Sequence, residues 1–77
     1  MEPTYHIGAD PLERTLDDCI KSRRGSFRVT ADQPLALFNY LGELLRRLNE
    51  LGGCVTHGNV LNTAAGLRAY VRFEMSS

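Results

Sequence analysis

The chain has no tryptophan, two cysteines and a single lysine, and its nine basic residues are cancelled by nine acidic ones. Each shortage excludes something. Two cysteines, Cys19 and Cys54, are too few for a disulfide-stapled scaffold, so both are expected to be reduced thiols. A zero formal charge argues against a general nucleic-acid coat, which carries a clear positive excess. No apolar run approaches the ~20 residues of a membrane-spanning helix, so no membrane role is expected. Met1 to His6 shows neither a basic region nor an apolar stretch behind it, so no secretory signal is read there and a cytoplasmic location is the expectation. No cofactor is expected either.

What is present is enough to fold. The apolar share of 43% is that of a globular chain, and 77 residues make one domain over 1–77, with residues 1–3 and 76–77 expected to be disordered. Eight of the nine basic residues are arginine, the exception being Lys21.

Asp10-Pro11-Leu12-Glu13 predicts a helix start, with Asp10 as N-cap, proline in the first turn and an acid near the positive end. Leu12, Leu16, Cys19 and Ile20 follow at helical spacing, and Arg23-Arg24-Gly25 reads as the stop, giving a helix over 11–24. Asp17 and Lys21 stand four apart, where they can pair. From Ser26 to Ala31 the chain alternates: Phe27, Val29 and Ala31 on one face, Ser26, Arg28 and Thr30 on the other, as in a strand buried on one side.

Asp32-Gln33-Pro34 restarts a helix that runs to Leu51, before Gly52-Gly53. Leu37, Phe38, Leu41, Leu44, Leu45, Leu48 and Leu51 fill one arc of that helix. Asn39, Glu43, Arg46, Arg47 and Glu50 fill the other, with Glu43–Arg47 and Arg46–Glu50 spaced to pair. Gly42 is costly inside a helix, so either it permits close approach of another backbone, within the chain or across a dimer, or the cost is simply tolerated. Strands are predicted over 54–61 and 67–75, joined by a loop at 62–66, and a short first strand over 4–7. The expected architecture is an α+β two-layer sandwich in the order β-α-β-α-β-β, with two helices on one face of a four-stranded mixed sheet and the other face open.

Phe27-Arg28-Val29-Thr30-Ala31-Asp32-Gln33-Pro34 resembles the second strand and acidic, proline-containing helix start of the small bacterial sulfur-carrier proteins of tRNA thiolation. The element order is also similar to that of the Alba chromatin proteins and of the C-terminal domain of bacterial initiation factor three. The resemblance implies the two-layer fold. The sulfur carriers place a reactive cysteine before a proline at the first helix, where this chain reads Gly8-Ala9-Asp10-Pro11. Alba-like proteins carry lysines on the strand-to-helix loop, where this chain reads Ala31-Asp32-Gln33.

The candidate binding surface is the polar side of the strands. Arg28, Arg68, Tyr70 and Arg72 should project away from the helices, putting three guanidinium groups and a phenol ring on one open layer. Such a face suits an acidic protein surface or a second copy of the chain, since arginine and tyrosine are favoured anchors. It also suits single-stranded nucleic acid, by stacking and phosphate contact. The plainer alternative is a solvated strand face. Secondary candidates are Lys21, Arg23 and Arg24, whose plainer role is to complement a helix C-terminus, and His57. Cys54 and His57 are three apart, so a regular strand would turn them to opposite sides unless it bends near Gly58. Neither a catalytic pair nor a metal site is expected from them. The expected function is that of a non-catalytic interaction module that self-associates; nucleic-acid binding and thiol-dependent sulfur transfer are the alternatives.

Overall fold

The computed structural model describes residues 2–76. The elements are β1 (Thr4–His6), α1 (Leu12–Ser22), β2 (Arg24–Ala31), α2 (Pro34–Glu50), β3 (Gly53–Thr63) and β4 (Gly66–Met75). They form the α+β arrangement expected from the sequence: two helices and a four-stranded mixed sheet in the order β1-β2-β4-β3. β1 runs parallel to β2, while β2 and β3 both run antiparallel to β4. Hence β4, last in the chain, sits inside the sheet, and β3 is an edge.

The alternation in β2 and β4 sets the layers. Phe27, Val29 and Ala31, with Ala69, Val71 and Phe73, are buried beneath the helices. Two clusters result. Tyr5, Leu16, Cys19, Leu44 and Leu48 close over Phe27, Val71 and Phe73. Leu37 closes over Val29, Ala31 and Ala69. Tyr5, Phe27 and Phe73 form an aromatic run through the first cluster, with Tyr5 edge-on to Phe27 at 5.7 Å between ring centres. The helices are tied together by Thr15 and Tyr40, whose hydroxyl oxygens stand 2.6 Å apart. The Tyr5 hydroxyl donates to Asp18 at 2.5 Å, holding α1 over β1.

Several local expectations are corrected. Asp10 does not cap α1; Pro11 occupies the cap position. The Asp10 carboxylate instead accepts from the His6 amide at 2.9 Å and from Arg14 at 3.2 Å, closing the turn between β1 and α1. Gln33, not Asp32, is the cap residue of α2. The first helix stops at Ser22, because Arg23 turns to φ +71° and its amide bonds back to the Cys19 carbonyl at 2.9 Å. Arg24 and Gly25 therefore belong to β2 and not to a helix end. The hairpin loop is only Ala64-Ala65, held by the Thr63 hydroxyl, which bonds to the Gly66 carbonyl at 2.7 Å.

The buried arc of α2 is narrower than its leucine pattern suggests. Leu37, Leu44 and Leu48 are buried, whereas Phe38, Leu45 and Leu51 are exposed. The reason is the width of the layer beneath: two helices share a sheet of four strands, so α2 presses one line of side chains down and leaves a flank open. A β-carbon at Gly42 would meet nothing within 4 Å, so this glycine serves no close approach inside the chain. Gly53 is the reverse. A β-carbon there would stand 2.9 Å from Leu48 Cγ and 2.6 Å from Met75 Sδ, so the return from α2 into β3 needs a glycine. Of the ion pairs expected on the helices, Arg46–Glu50 forms at 3.0 Å and Arg46 also holds Glu43; Asp17–Lys21 and Glu43–Arg47 are absent among the described residues.

At the ends, the Pro3 carbonyl accepts from the Arg28 amide at 3.0 Å and the Ser76 amide donates to the Gly52 carbonyl at 2.7 Å. Met1 and Ser77, within the termini expected to be disordered, lie outside the described residues. Among the described residues no helix is long and apolar enough to cross a membrane.

Candidate binding face

Neighbours across a β-ladder point to the same side of the sheet, so the strand register builds the open face rung by rung. One rung carries His6, Thr30, Arg68 and Leu61. The next carries Thr4, Arg28, Tyr70 and Asn59. Then come Ser26, Arg72 and His57, and last Arg24, Glu74 and Cys54. The structure thus brings Arg28, Arg68, Tyr70 and Arg72 onto one surface, with Arg28 directly opposite Tyr70. Successive rungs are about 7 Å apart, so Arg68 and Arg72 rise from backbone positions about 13 Å apart with Tyr70 midway.

His57 joins this face through a feature absent from the periodicity. The β3–β4 register shifts between Val55 and His57, so Thr56 is the extra residue of a bulge, with its hydroxyl 3.4 Å from the Arg72 carbonyl. The bulge turns His57 to the same side as Cys54, a bend supplied by Thr56 rather than by Gly58. The His57 ring then meets Tyr70 edge-on, 6.1 Å between centres. Even so aligned, Cys54 and His57 sit on different rungs. No group of three or more histidine, cysteine or carboxylate side chains able to hold a metal ion exists among the described residues.

The four arginines on the face are not equivalent. Arg28 is held by Glu2 at 3.5 Å, and Glu2 also accepts from the Ser26 hydroxyl. That hydroxyl bond, helped by Tyr70 and Arg28, keeps the Glu2 carboxyl below the usual carboxylate range. Arg24, Arg68 and Arg72 have no carboxylate within ion-pair distance among the described residues. Arg24, His57, Tyr70 and Arg72, with Glu74 at the margin, line a shallow open groove.

The other basic candidates separate. Arg23 is used structurally: its guanidinium donates to the Ser76 carbonyl at 2.8 Å and its own carbonyl accepts from the Met75 amide. Lys21 lies in the last turn of α1, in the helical layer. Sequence reasoning placed Arg24 in a helix and so missed its place on the face, although the alternation Arg24-Ser26-Arg28-Thr30 already carries the signal. The Glu2 clamp on Arg28 had no signal, because it joins residues far apart in the chain.

Another concavity, of about 370 Å³, lies where α1 meets β1 and the start of β2, bordered by Tyr5, Asp18, Cys19, Phe27 and Phe73. Burial, with Asp18 adjacent, pushes the Cys19 thiol up to about 11, so it is a core side chain and a poor nucleophile. Cys54 is exposed, on the Glu74 rung.

Fold and face together define a two-layer α+β domain with an open, arginine-bearing sheet surface. Compared with known proteins, the chain matches no family model, no curated protein and no solved structure.

Proposed function

We propose that the protein is a non-catalytic interaction module whose open sheet face docks an acidic segment of a partner protein. The observation that carries this reading is the contrast between Arg28, already neutralised by Glu2, and Arg68 and Arg72, which flank Tyr70 with no carboxylate within ion-pair distance among the described residues. A half-buried phenol between two unpaired guanidiniums is an anchor arrangement. The ring offers a rigid contact area, and each arginine can take a carboxylate through paired hydrogen bonds. An extended segment with acidic side chains four residues apart spans the same ~13 Å as Arg68 and Arg72.

Single-stranded nucleic acid fits the face less well. Tyr70 and His57 offer stacking surfaces, but a continuous phosphate chain crossing the groove meets Glu74 at one end and Glu2 beside Arg28. The zero net charge adds no long-range attraction. Sulfur transfer through Cys54 is supported less still, because Cys54 shares its rung with Glu74 and Arg24 while His57 stands on the next rung.

Fluorescence anisotropy tests the reading with two labelled probes: an extended peptide with glutamates four apart, and an oligothymidylate. The peptide should bind, and the Arg68→Glu/Arg72→Glu double variant should weaken it by about tenfold or more, about 1.4 kcal/mol. Preferential binding of the oligothymidylate, with affinity falling steeply as salt rises, would replace this reading with nucleic-acid binding. No binding of either probe removes the face as a docking site for anions.

A further inference from the structure

We infer that the free edge of β3 and the adjoining flank of α2 form a single self-complementary surface that pairs with a second copy of the chain, strand to strand. This surface is separate from the arginine face and shares none of its anchor residues.

β3 ends the sheet, so one side of its backbone has no ladder partner. Exposed edges in monomers are usually guarded by charged side chains, proline or extreme shortness. Gly53–Thr63 has eleven residues and includes no charged residue and no proline. Its one guard is the bulge at Thr56, which leaves Gly58–Thr63 as a regular, unprotected run. The opposite edge, β1, has three residues and is too short to offer the same template.

The flank of α2 above this edge has the same character. The Thr15–Tyr40 contact fixes α1 on one side of α2. At 100° per residue, Phe38, Gly42 and Leu45 fall on the opposite side of the buried line Leu37–Leu44–Leu48, the side toward β3. Phe38 is 57% exposed and Leu45 43%. Val60, paired with Ala69 and so turned to the helix side of β3, is 41% exposed because α2 does not reach over it. Leu37, the neighbour of Phe38, packs against that same Ala69, so Phe38 and Val60 stand at one level of the sandwich. Gly42, with open space beyond it, leaves a dip between Phe38 and Leu45.

The chain has eighteen formal charges, nine of each sign. None falls on β3 or on this flank, so nothing here steers or selects a charged partner, while an identical uncharged edge meets no repulsion. A second β3 set antiparallel across a twofold axis continues the sheet to eight strands. It lays Val60 near its own counterpart and brings the two α2 flanks together over the join. A stable dimer needs roughly 800 Å² from each subunit, about a sixth of the 4945 Å² that the chain exposes. The edge and flank together offer about 20 Å along the strand and about 20 Å across the two layers, about 400 Å² from each subunit and half of that figure, so the pairing is weak and concentration-dependent.

Sedimentation velocity over a wide concentration range, with backbone hydrogen exchange, tests the pairing. The chain should pass from monomer to dimer as concentration rises, and outward amides within Gly58–Thr63 should become at least tenfold slower to exchange. The Phe38→Glu/Val60→Lys double variant should remain a folded monomer, since both positions are exposed within one chain; its circular dichroism and melting temperature separate lost pairing from lost fold. A wild-type chain that stays monomeric at every concentration would overturn the inference. So would a dimer that survives Phe38→Glu/Val60→Lys but is lost in Arg68→Glu/Arg72→Glu, which would place self-association on the arginine face. Dimerisation without peptide binding would leave this surface standing and remove the proposed docking role.

Discussion

Arg28 and Tyr70 face each other across the β2–β4 ladder with Glu2 beside both: Glu2 holds the arginine at 3.5 Å and its carboxyl is lowered in part by the tyrosine hydroxyl, while the tyrosine stands midway between Arg68 and Arg72 on β4. On the docking role proposed above, the chain's own carboxylate occupies one anchor position of the surface, and the amino-terminal segment would compete with an acidic partner.

That competition has a measurable consequence. Glu2→Gln should free Arg28 and strengthen binding of the acidic peptide several-fold, with little change in folding stability because the pair is solvent-exposed. The Glu2 carboxyl is held below its ordinary range in the folded chain. Its contribution to stability is therefore present above the unfolded carboxyl's value and is lost as pH falls through the folded one. Peptide titrations of wild type and Glu2→Gln at neutral pH check the first point.

The two thiols should differ in kind. An aromatic disulfide reagent should react quickly with one thiol per native chain, Cys54, and with Cys19 only after unfolding, because Cys19 is buried and Cys54 exposed. The folded Cys19 thiol is pushed up to about 11, first by burial, and burial with the Asp18 hydrogen bond raises the Tyr5 phenol as well. Both groups resist ionisation in the folded state. Their contribution is full below the unfolded values and declines as pH rises toward the folded ones, so stability should fall above about pH 9. Urea midpoints between pH 7 and 10.5 measure this, and a midpoint that stayed level would contradict it.

The Thr15–Tyr40 contact is a separate test of the helix layer. Thr15 is wholly buried at 0% exposure and its hydroxyl has the Tyr40 oxygen as partner. Tyr40→Phe should cost about 1–3 kcal/mol by leaving that hydroxyl unpaired. Thr15→Val in the Tyr40→Phe background should recover much of the loss, because no polar group is then stranded. A double-mutant cycle on urea unfolding reads the coupling directly.

Two leucines of one helix should behave oppositely. Leu44→Ala removes a fully buried side chain from beneath α2 and should cost about 2–5 kcal/mol, a large part of the ~4–12 kcal/mol expected for a chain this long. Leu45→Ala, one position along, should cost under ~1 kcal/mol in the monomer. Equal losses at both positions would mean that the flank beside β3 is covered.

Much of this was legible in the residues. Alternation over Phe27–Ala31 and Leu67–Met75 gave both strands their buried and open faces, and so assigned Arg28, Arg68, Tyr70 and Arg72 to one side. The limits of legibility lie where a local pattern meets a neighbour. Asp10 and Asp32 look like caps, but the first amides of a helix compete for such a carboxylate with every other donor in reach, and the His6 amide and Arg14 hold Asp10. His57 changed sides because one unpaired residue, Thr56, entered the ladder, and a bulge leaves the hydrophobic period on either side intact.

The sequence by itself determined the elements, their order and which side of each strand is polar, because these follow from side-chain period, proline and glycine, all local properties of the chain. Only the tertiary structure decided that β4 lies between β2 and β3, that Glu2 holds Arg28, and that Phe38 and Leu45 stay exposed beside the edge strand β3. Those outcomes depend on how two helices divide the width of four strands, and a spacing rule along one segment carries no information about that division.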